Sequence, residues 1–209
     1  GTWMRIWSMS KLVTISLAMD LMEEGLFYLD DPVHKYIPEF SNLMVAVDRN
    51  GESISRSRKV DLDCPHELVN TDSVMTVQHL FNHTAGFYYA LTPSECLNDS
   101  LAIKRILQAE NGDQLIDILS TLPLVQQPGQ RYFYGMNTSV LGLLLERVTG
   151  KSLYQNLKER VTKVHNIEGL TYTKPKGIEL LPTFTGRDGN LREIMDGELD
   201  IFGGEVPNY

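Results

Sequence analysis

The chain has 209 residues, with 19 Lys and Arg against 27 Asp and Glu, a formal net charge of −8. Its 42% hydrophobic and 22% charged residues are a globular composition, which excludes a disordered or fibrous chain. An acidic balance without a basic run argues against a nucleic-acid partner, and no apolar stretch approaches the roughly 18 residues that span a bilayer.

Ser8 to Gly25 is predicted to be a helix, with Leu12, Ile15, Met19 and Met22 as its apolar stripe and Gly25 just past its end. Arg5 and Lys11 ahead of Leu12 to Met19 imitate a targeting leader. The run meets Asp20, Glu23 and Glu24 with no small-x-small cleavage site, so the helix is the better reading. Leu29-Asp30-Asp31-Pro32 is turn chemistry, and Val33 to Phe40 is a short irregular or helical piece ended by Pro38. Leu43 to Val47 and Val60 to Leu62, separated by Asn50-Gly51 and polar residues, are expected to form a small hairpin.

Thr76 to Asn82 reads as a short helix. Further helices are expected over Leu101 to Ala109, Gln114 to Leu122, Thr138 to Val148 and Ser152 to Val161, with Pro128-Gly129 and Gly150 as breaks. Thr171 to Thr173, Thr183 to Thr185 and Leu191 to Ile194 are strand-like, interrupted by Gly189-Asn190. The expected class is α/β of the α+β kind, a helix-rich part over residues 70–165 joined to part of a sheet. Two cysteines, Cys64 and Cys96, are too few for a disulfide scaffold and leave the compartment open.

Ser8-Met9-Ser10-Lys11 is an S-x-x-K tetrad at the start of the first helix. Residues three apart share a helix face, so the Lys11 amine is expected to reach the Ser8 hydroxyl. A serine hydroxyl is a weak nucleophile until a base takes its proton, and a desolvated lysine is such a base. The positive end of the helix favours an alkoxide and disfavours an ammonium.

With its surroundings, the tetrad resembles the serine β-lactamase and penicillin-binding-protein superfamily, in particular the class C β-lactamase-like esterases (family VIII carboxylesterases) and related acyltransferases. TWMRIWSMSK (Thr2 to Lys11) is similar to the segment leading into the family's nucleophile, and MDLMEEGLFYLDDPVHKYIPEF (Met19 to Phe40) to the stretch after it. TVQHLFNHTAGF (Thr76 to Phe87) resembles the H-T-S-G segment, and PGQRYFYGMNTSVLGLLLERVTGKSL (Pro128 to Leu153) the block holding the catalytic tyrosine.

The resemblance implies a β-lactamase/transpeptidase-like fold, a helical domain plus part of an antiparallel sheet. It also implies a serine hydrolase or acyltransferase acting on small-molecule esters or amides, with Ser8 as nucleophile and Lys11 and Tyr134 sharing the proton work. The Ser8 amide would give one oxyanion bond. Tyr132 is the weaker alternative to Tyr134. The family's β-lactamases tend to show Y-x-N here, whereas Tyr134-Gly135-Met136 puts Asn137 one place late and leans towards the esterase-like branch. The K-T-G, H-x-G or W-G-G motif of the family is missing: Thr149-Gly150-Lys151 has the wrong order, and Phe202-Gly203-Gly204 follows Tyr134 too soon.

The chain is therefore expected to be a single domain over residues 1–209, incomplete at both ends. Parts of Leu12 to Met22 and Val140 to Val148 would then lie open and favour self-association.

Competing readings are weaker. His79 and His83 are four apart, but Leu80 stands where HExxH needs Glu, and Cys64-Pro65-His66 is not a finger spacing, so no metal is expected. No G-x-S-x-G or nucleotide-binding glycine motif occurs, so no cofactor is expected either. Glu23/Glu24 and Asp30/Asp31 read as a solvated helix end and a turn rather than a glycosidase pair. The rival from another class is a catalytically idle member that only binds or assembles; a β-lactamase proper or a D-Ala-D-Ala carboxypeptidase ranks below it.

Overall fold

The computed structural model describes residues 2–54, 67–89, 106, 108–187 and 190–194. Helix α1 (Ser10–Glu23) follows a 3-10 turn at Trp7–Met9. Ser10 Oγ donates back to the Trp7 carbonyl at 2.7 Å, fastening the turn to the helix. Gly25 ends it at φ +79°, a left-handed conformation that suits a residue without Cβ.

Two stripes of α1 are apolar, and periodicity alone does not choose between them. The buried one is Thr14, Leu17, Ala18 and Leu21. In the stripe expected from sequence, Leu12 is 68% and Met19 48% exposed, while Ile15 and Met22 are partly buried against the core. Small Ala18 and Thr14 let α1 approach α4 (Asn137–Thr149): a Cβ on Gly142 would stand 3.9 Å from Thr14 Cγ2 and 3.1 Å from Leu153 Cδ2.

Helix α4 is the centre of the molecule. Val140, Leu141, Leu143, Leu144 and Leu145 are all buried, because the helix meets α1, α2 (Val77–Phe81), α3 (Gly112–Ser120) and α5 (Leu153–Leu157). The apolar surface expected to lie open is therefore found on α1 and not over Val140 to Leu145.

Local capping fixes the helix ends. Thr76 and His79 form a capping box on α2, with the Thr76 amide donating to His79 Nδ1 at 3.2 Å. Asn111 Oδ1 accepts from the Gln114 amide on α3, and Ser152 and Gln155 box α5. Gly150 closes α4 at φ +65°. The helix expected over Ser152 to Val161 is α only to Leu157 and continues as a π-helical turn over Lys158–Thr162.

Strand β1 (Met44–Val47) pairs antiparallel with β2 (Glu67–Asn70), Val45 opposite Val69. On its other side Ala46 N donates to the Leu124 carbonyl and Leu124 N to the Met44 carbonyl, both at 2.8 Å. The partner expected from sequence, Val60 to Leu62, lies outside the described residues, as does most of Leu101 to Ala109. Strands β3 (Thr183–Arg187) and β4 (Asn190–Ile194) form the second antiparallel pair, Thr183 opposite Ile194. Thr171 to Thr173 is not a strand. Its Tyr172 hydroxyl instead bonds Thr14 Oγ1 at 3.0 Å, so this stretch serves as a side-chain brace for α1. Pro38 opens a 3-10 helix (Pro38–Asn42) instead of ending one, because a ring-locked φ suits a first helical position.

No described helix is long and apolar enough to cross a membrane. The turn after α1 is organised by Asp31, whose Oδ2 accepts from the Tyr28 amide (2.8 Å) and the Tyr36 hydroxyl (2.6 Å), and whose Oδ1 accepts from Lys35 Nζ (2.9 Å). The Tyr36 and Lys35 bonds, chiefly, lower the carboxyl to about 2. A carboxylate depressed in the folded state adds stability above its unfolded value near 3.8 and loses it as the pH falls through about 2. Asp31→Asn is therefore expected to lower the urea midpoint at neutral pH and to converge on the parent near pH 2. A penalty constant across that range would assign the effect to shape and not charge.

Candidate active site

The site forms where the starts of α1 and α4 meet. Trp7 adopts φ +50°, a left-handed conformation that costs a non-glycine residue about 1–2 kcal/mol. The Met9 amide bond to the Ile6 carbonyl (3.0 Å) and the Ser10 bond to Trp7 hold it there. The bend leaves Ser8 exposed on its 3-10 turn, one step ahead of the helix that carries Lys11.

Ser8 Oγ and the Tyr134 hydroxyl lie 2.5 Å apart, a short hydrogen bond, and Lys11 Nζ donates to Ser8 Oγ at 3.4 Å. The same ammonium stands 5.0 Å from the centre of the Tyr134 ring. The three residues singled out from the sequence are thus together, although Ser8 and Tyr134 are 126 positions apart. Ser10, the other serine of the tetrad, is turned back on Trp7. Tyr132 is 64% exposed and rests against the His83 ring at 5.7 Å; the phenol on Ser8 belongs to Tyr134.

Electrostatics divide the protons. Burial works to lower Lys11, but hydrogen bonding to Tyr134 and attraction to Tyr89 and Tyr134 outweigh it, and its pKa is raised. For Tyr134 burial works upward, yet the hydrogen bonds from Lys11 and Ser8 and the Lys11 charge leave the phenol lowered. The two shifts reinforce one another: the ammonium is retained and the phenolate favoured. The ammonium, expected to be disfavoured at this helix start, is instead retained because two phenols face it.

Behind Tyr134 is a buried polar layer. His83, at φ +57°, stacks on the Tyr134 ring with centroids 5.1 Å apart and planes 25° apart. Asn137 Nδ2 donates to His83 Nδ1 at 3.1 Å, which leaves Nε2–H to donate to Thr138 Oγ1 at 3.3 Å. Burial first, and then the Lys11 charge, lower the His83 pKa, so this ring is a neutral support. Asn137 is thereby committed to His83 and to the Phe133 carbonyl (3.4 Å), and its Oδ1 is buried with no partner among the described residues.

His79 fills its capping role, and no cluster of metal-ligating side chains occurs among the described residues. Cys64, His66 and Cys96 lie outside them, as does Phe202-Gly203-Gly204, while Thr149-Gly150-Lys151 sits at the end of α4. Sequence reasoning missed one neighbour: Tyr89, whose ring is 5.8 Å from Lys11 Nζ, is not among the expected site residues, while His83 falls within the expected H-T-S-G-like block. The Tyr88-Tyr89 pair directly after that block was the available signal.

The family model described as Beta-lactamase matches residues 1–190. The chain belongs to the beta-lactamase family. An uncharacterized Mycobacterium tuberculosis protein is 34% identical over 160 residues, covering 77% of this chain and 36% of that one. Acyltransferase mokF of Monascus pilosus is 32% identical over 199 residues, covering 93% of this chain and 43% of its own length. Unliganded simvastatin synthase (LovD) from Aspergillus terreus superposes with a TM-score of 0.73 at 25% identity, covering 99% of this chain and 52% of that one. The chain thus spans between about a third and a half of the length of these relatives. The architecture is accordingly the β-lactamase/transpeptidase-like fold, helices with small antiparallel sheet pairs.

Backbone contact fixes where this family member presents Tyr134. Gly135 passes so close to the 87–88 peptide that a Cβ would lie 2.0 Å from the Phe87 carbonyl oxygen and 2.8 Å from Tyr88 Cα. Neither is the movable end of a side chain. Gly135→Ala is therefore expected to cost about 1–3 kcal/mol or more, as overpacking against a fixed wall does. Chemical denaturation checks the loss, and unchanged stability would mean that the 133–136 loop relaxes freely.

Proposed function

We propose that this chain belongs to a serine hydrolase or acyltransferase that acts on small-molecule esters or amides through an acyl group carried on Ser8. The 2.5 Å contact between Ser8 Oγ and the Tyr134 hydroxyl, with Lys11 beside both, is the observation that carries the reading.

In this mechanism Tyr134 takes the Ser8 proton while Oγ bonds the acyl carbon. The pair of shifts favours Tyr134 over Lys11 as the acylation base, since Lys11 keeps its proton and a cation beside a phenol stabilises the phenolate. Tyr134 then returns the proton to the departing alcohol or amine, and the Ser8 amide supplies one oxyanion bond. Water or a second alcohol releases the acyl group by the reverse sequence.

The names of the relatives, an acyltransferase and a simvastatin synthase, support acyl transfer alongside hydrolysis. The burial of Asn137 against His83 supports the esterase-like branch over a β-lactamase proper, whose Y-x-N asparagine would be free to meet substrate. The idle alternative is separated by labelling: mass spectrometry after incubation with a fluorophosphonate, a chromogenic cephalosporin and a p-nitrophenyl ester is expected to place an adduct on Ser8. Absence of any adduct would overturn the enzyme reading for this chain.

Ser8→Ala is expected to abolish p-nitrophenyl ester hydrolysis, whereas Ser10→Ala, which removes only a bond to Trp7, reduces it far less. Tyr134→Phe should keep the fold and lower turnover by about 10²–10⁴-fold, the usual cost of a general acid-base group, with Tyr132→Phe milder. Equal losses in the two serine variants, or the reverse order in the two tyrosines, would show the roles to be misassigned.

A further inference from the structure

Lys11 has a second aromatic neighbour that the proposed mechanism leaves unused. Tyr89 follows the His83 to Phe87 segment; its neighbour Tyr88 is buried in the core, while Tyr89 itself is half-buried. The Tyr89 ring centre is 5.8 Å from Lys11 Nζ and 5.7 Å from the Tyr134 ring centre, with the two rings inclined at 49°. The ammonium therefore sits in a corner: Tyr134 on one side, Tyr89 on the other, and Ser8 Oγ ahead of it.

A flexible four-carbon stem does not by itself hold a lysine in such a place, since exposed ammonium groups exchange protein partners for water at little cost. Two aromatic faces and two hydroxyls offer what one phenol does not: attraction from two directions, which fixes a position as well as a distance.

We propose that Tyr89 is a positioning residue for the Ser8–Lys11–Tyr134 cluster, its ring and hydroxyl holding the Lys11 ammonium against Tyr134. The inference rests on the acylation of Ser8 proposed above only for its catalytic consequence; the placement of Lys11 stands on the geometry.

The charges agree with this division. Tyr89 is raised, burial first, with the Lys11 charge pulling the other way, so it stays a neutral phenol whose ring lies beside the ammonium. Tyr134, less buried, is the one whose ionisation is favoured. The titratable groups facing Lys11 are thus Tyr134, Tyr89 and, behind Tyr134, the neutral His83. Loss of Tyr89 frees the ammonium to move towards solvent, and Tyr134 loses part of the field that lowers it.

The test uses this chain labelled with 13Cζ-tyrosine, the Tyr134 resonance being assigned by its absence in Tyr134→Phe. In Tyr89→Phe, which keeps the ring and removes the hydroxyl, the Tyr134 titration midpoint is expected to rise. In Tyr89→Leu it should rise further, by roughly one pH unit, a tenfold fall in phenolate at a given pH. The pH profile for fluorophosphonate labelling of Ser8 should move upward by the same amount while the rate on the alkaline plateau is preserved.

In a Lys11→Met background Tyr89→Phe should leave Tyr134 where it is, because Tyr89 acts through the lysine. An unmoved Tyr134 midpoint in both Tyr89 variants would overturn the proposal. So would a rise that persists without Lys11, or a labelling rate lowered equally at every pH. If the parent chain takes no label at any pH, the acylation reading falls, and the Tyr89 inference is decided by the Tyr134 midpoints alone.

Discussion

A half-buried ammonium must find partners or give up its proton, and Lys11 finds one hydroxyl and two aromatic rings, each from a different part of the chain. Ser8 comes from its own turn, Tyr89 from the segment beyond α2, and Tyr134 from the loop that leads into α4. Meeting them all at one point fixes the start of α1 relative to the start of α4 to within a hydrogen-bond length. The close crossing of the two helices at Thr14 and Gly142 gives the same answer from the packing side. The arrangement is thus over-determined, which is what allows Trp7 and His83 to keep left-handed conformations that neither would adopt alone.

The backbone between the two tyrosine-bearing segments is joined with little room to spare. Phe133 N donates to the His83 carbonyl at 2.7 Å, Val125 N to Gly86 and Gly129 N to Thr84. Side chains continue the seam: Gln126 Nε2 reaches the Arg131 carbonyl, and a Cβ on Gly86 would stand 2.7 Å from the Gln126 carbonyl. The H-T-A-G-F segment is thereby a bed on which the Tyr134 loop lies. Its His83 contributes a flat neutral face to the Tyr134 ring.

Much of this was legible in the sequence because it is local or carried by a recognisable block. The S-x-x-K spacing needs only a helical start, and the tyrosine is placed by the V-L-G and E-R-V-T-G pattern that follows it. Thr76 and Ser152 declared helix starts in the same way, whereas α3 begins after Asn111, two residues ahead of the expected Gln114. What was not legible depends on tertiary choice. The buried stripe of α1 could be either of two apolar stripes, and α4 decided it. The partner of β1 is set by the chain's return path, which spacing does not encode. Tyr89 is signalled only by the Tyr88-Tyr89 pair after the H-T-A-G-F segment, and Asn137 reads as a displaced site residue although its amide is engaged with His83.

The braces on α1 also bear on the order in which the molecule is made. Thr14 is tied to Tyr172, Asp20 and Glu24 to Arg160, and Trp3 to Leu181, all partners far along the chain from the helix they hold. During synthesis α1 leaves the ribosome well over a hundred residues ahead of these fastenings. Until those residues emerge, the helix has its apolar faces and its nucleophile turn without the contacts that orient them. Loop-closure entropy over such separations slows assembly, and a segment waiting on one so far downstream is a natural client for chaperones. The geometry around Ser8 is accordingly completed only after residues far downstream of the nucleophile turn have emerged.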